Sequence, residues 1–166
     1  VEVSKLVEAA NSITADKARS LVGALADDTF EGREAGSRGG RAAGLYIVGE
    51  LKKIGAAPAG LKGSYYQAFG GGYSNILSAV EGSDPELKKQ WIVVSAHYDH
   101  VGYGTRSNSY GPIGTIHNGA DDNASGVAGL LEIVAAVKSL PEPPKRSILF
   151  ALWDGEEKGL LGSKHW

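Results

Sequence analysis

Two continuous apolar runs, separated by a helical pattern, constrain the fold of this chain more than any other feature. Residues 91–96 and Ser147 to Trp153 are short and largely apolar, which is typical of strands buried on both faces. Between them, apolar residues recur at helical spacing from Val127 to Val137, and the prolines that follow end the helix. A strand–helix–strand unit of this kind forms a right-handed crossover with parallel strands. The sequence therefore predicts an α/β fold.

The first half of the chain predicts helices that cover a sheet, followed by a hairpin. Thr14 is placed to cap one helix, and Ser37 to cap a second helix that Gly55 ends. Residues 27–36, between these helices, carry turn residues and mixed charge and predict an exposed loop. Strand-forming residues on both sides of the run Gly70–Gly72 indicate an antiparallel hairpin.

The composition excludes several classes of function. The 166 residues are 42% hydrophobic and 22% charged with a formal net charge of -2, which is ordinary for a globular domain and leaves no basic stripe for nucleic acid. No apolar stretch approaches the roughly 20 residues that cross a bilayer, so we expect no membrane partner. The chain has no cysteine, and any metal site must therefore use histidine and carboxylate ligands.

Acidic and imidazole side chains follow the two predicted strands and precede the helix between them. Parallel strands place their carboxyl ends, and the start of the crossover helix, at one edge of the sheet. Six such side chains are expected there: His97, Asp99, Asp121, Asp122, Glu156 and Glu157. Carboxylates gathered without lysine or arginine repel one another unless a cation is bound, and imidazole with carboxylate suits Zn²⁺, with Mn²⁺ or Co²⁺ also possible. In this arrangement His97 is a ligand, and Asp99 accepts the proton on the far ring nitrogen and orients the imidazole.

Each part of this cluster also has a simpler interpretation. A His-x-Asp pair at a strand end is most often a satisfied polar pair, residues 121–123 can cap a helix, and residues 156–157 can be a solvated helix start. These interpretations do not explain why all three groups fall at one sheet edge. The remaining histidines, His100, His117 and His165, are expected on the loop surface.

The polar groups belong to three longer blocks of sequence: Ser95–Asp99 (SAHYD), Gly119–Gly126 (GADDNASG) and Trp153–Ser163 (WDGEEKGLLGS). These blocks resemble the signature motifs of the co-catalytic dizinc aminopeptidases, metallopeptidase family twenty-eight. Gly32-Arg33 and Gly36-Ser37, followed by a helix, are similar to the N-terminal region of that family. The resemblance thus extends over most of the chain.

The resemblance implies a role for each residue of the cluster. It implies two Zn²⁺ ions per complete catalytic domain, with His97 on one ion, Glu157 on the second and Asp121 bridging both. Glu156 is implied as the general base that acts on a water held between the metals, and Asp99 as the residue that orients the histidine. It also implies that the peptide bond after Asp121 is cis.

The resemblance further implies the fold and function of the whole domain. We expect a three-layer α/β/α sandwich with a mixed, largely parallel central sheet, of which residues 1–166 are the N-terminal portion of one catalytic domain with no second domain. An Asp and a His beyond Trp166 are expected as further ligands from the missing C-terminal portion, without which this portion is not expected to turn over substrate. The expected reaction is hydrolysis of the N-terminal peptide bond of peptides or proteins by a secreted or periplasmic enzyme. A non-catalytic receptor domain, a carboxypeptidase and a glutaminyl cyclase stay open as alternatives.

Overall fold

Five strands and five α-helices make up the regular structure of this chain, in a computed structural model that describes residues 2–109 and 111–166. The strands are β1 (Ala57–Pro58), β2 (Tyr66–Phe69), β3 (Tyr73–Val80), β4 (Trp91–His97) and β5 (Ser147–Trp153). The helices are α1 (Val3–Asn11), α2 (Ala15–Leu25), α3 (Arg38–Ile54), α4 (Ser125–Lys138) and α5 (Leu161–His165). Within the described residues, no helix has the length and apolar character needed to cross a membrane.

The strands form one mixed sheet in the order β1-β3-β5-β4, and β2 also pairs with β3. Strands β4 and β5 are parallel, with Val93 opposite Leu149, as the strand–helix–strand pattern predicts. The other pairings are antiparallel, because β2 and β3 form the predicted hairpin and β3 runs opposite to both β1 and β5. The α/β class and the mixed sheet are confirmed, and antiparallel pairings outnumber the parallel one among these strands.

Alternate side chains of the sheet face two different layers. On one face, Ile76 and Phe150 pack with helices α2, α3 and α4 in the main hydrophobic core, and α1 packs on α4. On the other face, Leu77 and Leu149 belong to a smaller apolar cluster. Helix α5 lies on this second face, where the ring of Trp166 packs against the last residue of β5. Helices therefore flank both faces of the sheet, as the expected α/β/α arrangement requires.

Strand β4 differs from the expectation of a buried central strand. It lies at the end of the sheet order, and Trp91 at its start is 54% exposed. Ile92 and Val93 are exposed as well. The apolar run of β4 predicts burial on both faces, but in the part of the chain that the structure describes only β5 pairs with this strand.

Local signals in the first half of the chain act as predicted. The hydroxyl of Thr14 accepts a hydrogen bond from the main-chain N–H of Lys17 at 3.3 Å, which caps α2. The hydroxyl of Ser37 accepts from Gly40 N at 3.0 Å and caps α3. Gly55 ends α3 with a φ of 73°, the left-handed conformation that favours glycine.

Candidate metal centre

The parallel pairing of β4 and β5 brings two separate parts of the sequence to one edge of the sheet. His97 is the last residue of β4 and lies opposite Trp153, the last residue of β5. The turn that follows β5 carries Glu156 and Glu157. A tight turn at Ala120–Ala124, just before α4, reaches the same edge. The expected convergence at the carboxyl ends of these strands is therefore present.

Three side chains from these segments form a compact group of metal-type donors. His97, Asp122 and Glu157 each offer one ligand atom, and these atoms lie within 4.8 Å of one another. The shortest contact joins His97 Nε2 to Asp122 Oδ1 at 3.2 Å. Among the residues that the structure describes, no other group of three such donors is as close. Whether His97 and Glu157 bind metal stays a prediction, but their proximity is a property of the fold.

The acidic member of this group from the tight turn is Asp122, whereas Asp121 is expected in this place from the sequence. Which of the two binds metal stays a prediction. Asp121 is exposed, and its main-chain oxygen accepts a hydrogen bond from the hydroxyl of Ser125, the first residue of α4, at 2.8 Å. Asp122 leaves the helical conformation (φ -114°, ψ 97°) and presents its carboxylate to the strand ends. The cis peptide bond joins Asp122 and Asn123, one residue later than expected.

Asp99 is fully buried and holds the turn after β5 in place. Its Oδ1 accepts from the main-chain N–H of Glu156 at 3.0 Å, and its Oδ2 accepts from that of Glu157 at 3.2 Å. His97 Nδ1 lies 3.1 Å from the main-chain oxygen of Asp99 and 3.7 Å from its carboxylate. A carbonyl oxygen only accepts, so Nδ1 carries the proton in this contact and Nε2 faces Asp122. Asp99 thus orients the imidazole chiefly through its main chain.

The charges around His97 favour a bound cation. Burial alone would lower the pKa of His97, but the Asp99 side chain and the nearby Glu156 carboxylate raise it to about 9. The pKa of Glu157 is raised by burial and by Asp122, while His100 opposes this shift. A cluster that holds a proton this firmly has the electrostatic character of a cation site. Its nitrogen and oxygen donors, with no thiolate, fit zinc.

His100 belongs to this site although the sequence predicts it on the loop surface. Its side chain is only 13% exposed, and its Nδ1 lies 2.9 Å from Glu157 Oε1 and 3.9 Å from Asp122 Oδ2. Its position three residues after His97 was the one available signal, and that spacing alone does not distinguish a site residue from a surface residue. Of the other two histidines, His117 is half-buried and His165 is exposed.

A cavity of about 240 Å³ opens beside the metal-type donors. His100, Asp122 and Glu157 form one part of its wall. The long loop after β4 supplies the remainder: Val101, Asn108, Ser109, Gly111 and His117. The loop after β4 therefore borders a cavity that touches both Asp122 and Glu157.

Residues 27–36 differ from the predicted exposed loop. They form a short 3₁₀ segment, Asp28–Arg33, in which Gly32 and Arg33 are buried. The Arg33 side chain is bonded to main-chain oxygens on either side of the cluster, including those of Tyr98 and Gly119. Turn-forming residues and mixed charge predict exposure, whereas this burial depends on contacts with distant loops.

Comparisons with known proteins agree with this geometry. The model of Peptidase family M28 matches residues 75–166, which include every member of the cluster. A probable leucine aminopeptidase of Arthroderma otae is 30% identical over 142 residues, which cover 82% of this chain and 35% of that protein. The chain thus spans less than two thirds of this relative.

Two solved structures share the fold at similar identity. A Zn-dependent exopeptidase from Parabacteroides distasonis superposes with a TM-score of 0.66 at 26% identity, covering 92% of this chain and 55% of that one. A glutaminyl cyclase from Porphyromonas gingivalis superposes with a TM-score of 0.70 at 25% identity, covering 92% of this chain and 54% of that one. The chain spans about half of each solved structure.

Proposed function

The chain belongs to peptidase family M28, and on that basis we propose that the protein is a zinc-dependent aminopeptidase. The reaction is hydrolysis of the N-terminal peptide bond of peptides or proteins. The observation that carries this proposal is the group of His97, Asp122 and Glu157, whose donor atoms lie within 4.8 Å of one another beside an open cavity. Similarity to a leucine aminopeptidase supports the choice of substrate end.

We assign two zinc ions to the complete site, which His97, Asp122 and Glu157 would hold together with ligands from other parts of the protein. The raised pKa of His97, about 9, supports a cluster built for positive charge. When bound, the zinc ions supply Lewis-acid chemistry, which polarises the scissile carbonyl and makes water more acidic.

Glu156 is the proposed general base. Its Oε2 lies 3.9 Å from His97 Nε2, so it stands next to the three donors without belonging to their group. Its main chain is fixed by Asp99, which keeps the side chain at this edge. In this role Oε2 accepts a proton from the attacking water, so no positive charge builds up on the water oxygen. It then returns the proton to the leaving nitrogen, so the product leaves as a neutral amine.

The similarity to a glutaminyl cyclase favours one alternative, cyclisation of N-terminal glutamine on the same fold. Both reactions need a substrate amino terminus near the cluster, so the cavity beside Asp122 and Glu157 suits either. A non-catalytic receptor domain is the less favoured alternative, because such a domain has no requirement for a carboxylate in the position of Glu156.

The test is turnover of an aminoacyl chromogenic anilide and of an N-terminal glutaminyl peptide by the full-length protein loaded with zinc. We expect hydrolysis of the anilide, its loss in Glu156→Gln with zinc content unchanged, and its loss together with zinc in Glu157→Gln. Cyclisation without hydrolysis would assign the alternative reaction. Zinc binding without turnover of either substrate would contradict an enzymatic role.

A further inference from the structure

We infer that Arg33 is a positioning residue for the metal cluster, a role that rests on the proposed zinc site. Its guanidinium group joins the end of β4, which carries His97, to the turn that carries Asp122. These two segments are separated in sequence, and Arg33 is hydrogen-bonded to both of them.

The contacts of Arg33 define this connection. Its Nε donates to the main-chain oxygen of Tyr98, the residue after His97, at 3.0 Å. Its Nη1 donates to Asn118 O at 2.7 Å, and Nη2 to Gly119 O at 2.8 Å, just before the tight turn. A further bond from Nη1 reaches Leu25 O at the end of α2 at 2.6 Å. One rigid planar group therefore fixes the spacing between the two ligand-bearing segments.

The burial of this cation points to a role at the site. Arg33 is 1% exposed, and among the described residues all its hydrogen bonds go to main-chain oxygens and none to a carboxylate. Burying a charge without a paired carboxylate is costly, and the nearest compensation comes through space from Asp99 and Asp122. Burial lowers the pKa of Arg33 to about 10, so it stays charged at neutral pH. Its charge is thus coupled to the acidic residues of the cluster.

Gly119 has no room for a side chain beside the tight turn and the Arg33 guanidinium group. It has a φ of 58°, and a Cβ added there would meet Asp122 O at 2.4 Å, a ring carbon of His100 at 2.6 Å and Arg33 Nη2 at 2.7 Å. A side chain at this position would therefore force the tight turn, the His100 ring or the guanidinium group to move. Gly114 in the same loop also has a positive φ, 79°, but an added Cβ there meets no atom within 4 Å.

The primary test compares Arg33→Lys with Val134→Ala in the full-length protein. Lysine keeps the charge but lacks the planar fork that reaches both segments. Val134 is fully buried in α4, so its truncation lowers stability without touching the contacts of Arg33. The measurements are the dissociation constant for zinc, by competition with a chelator, and the visible absorption spectrum after loading with Co²⁺.

We expect Arg33→Lys to weaken zinc binding by about 10- to 100-fold, as loss of a residue that orients ligands does elsewhere, and to change the Co²⁺ spectrum. Val134→Ala should lower the melting temperature and leave both measurements unchanged. If Arg33→Lys lowers only the melting temperature, Arg33 is merely structural and the inference is overturned. Gly119→Ala should reproduce the loss of affinity, and Gly114→Ala should not; equal affinities in these two variants would also overturn it.

A metal-free measurement separates this inference from the proposed function. The Ala124 amide donates to Gly119 O at 3.1 Å inside the tight turn, so its hydrogen exchange reports on the turn that Arg33 holds. Arg33→Lys should speed this exchange more than Val134→Ala does. If the wild-type protein binds no zinc, the proposed function fails, while faster exchange in Arg33→Lys still shows that Arg33 positions the tight turn, and equal exchange refutes that positioning.

Discussion

Replacement of Asp122 by asparagine, compared with the same change at Asp121, tests which residue of the pair serves the metal site. Asp122→Asn removes one negative charge from a group whose donor atoms lie within 4.8 Å of one another. Asp121→Asn removes the same charge one residue away, from a side chain that is exposed and outside the cluster. The two variants have the same net charge and almost the same volume, so they form a matched pair.

The expected loss of affinity follows from the charge removed. Two unit charges about 4 Å apart interact by about 1 kcal/mol in water and about 4 kcal/mol at the effective dielectric constant near protein surfaces. The Asp122 side chain is 61% exposed, so we take the lower value as the minimum interaction energy lost with the charge. For a divalent ion this minimum doubles to about 2 kcal/mol, or about 30-fold in the dissociation constant. Asp121→Asn is a surface substitution, so we expect it to change the binding free energy by no more than about 0.5 kcal/mol, or about twofold in the dissociation constant.

The assay is zinc titration against a chelator at constant pH and ionic strength, with circular dichroism as the check that both variants fold. We expect Asp122→Asn to bind zinc at least about 30-fold more weakly than wild type, and Asp121→Asn to bind within about twofold. The reverse order would show that the turn carries its ligand at the earlier residue. Zinc affinities within about twofold of wild type in both variants would refute the assignment of any ligand to this turn.

Three further predictions concern the site and the core. His100→Ala should weaken zinc binding by about 10- to 100-fold without loss of secondary structure, because it removes the 2.9 Å contact with Glu157 Oε1; unchanged affinity would contradict this. Burial raises the pKa of Asp154 from 3.8 to about 6, so the folded state binds this proton more tightly, and the contribution of Asp154 to the unfolding free energy falls by about 3 kcal/mol as pH rises from 3 to 7; in urea titrations, the difference in unfolding free energy between wild type and Asp154→Asn should change by that amount over the same pH range, and a constant difference would contradict this. Phe150→Ala should lower the unfolding free energy by about 3–5 kcal/mol, whereas Leu45→Ala on the exposed face of α3 should change it little.

The part of the site that could be predicted from sequence depends on strand direction. Two apolar runs around a helical pattern predict parallel strands, and parallel strands place their carboxyl ends together. This reasoning alone puts His97 beside Glu156 and Glu157, and the structure has them there.

The remaining features depend on information that periodicity does not contain. The choice between Asp121 and Asp122 is set by backbone dihedral angles within one tight turn, and both residues satisfy the same capping pattern. The burial of Arg33 depends on main-chain oxygens as far as 86 residues away. The edge position of β4 depends on which strands pair with it, and its apolar sequence would suit either an edge or a centre. The secreted or periplasmic location stays a prediction.

The central claim is that His97, Asp122 and Glu157 together hold zinc. It is tested most directly by anomalous diffraction at the zinc absorption edge, from crystals of the full-length protein grown with zinc. The account predicts an anomalous peak among His97 Nε2, the Asp122 carboxylate and the Glu157 carboxylate, and the loss of that peak in Asp122→Asn. A fully loaded protein whose anomalous peaks all lie elsewhere would contradict it.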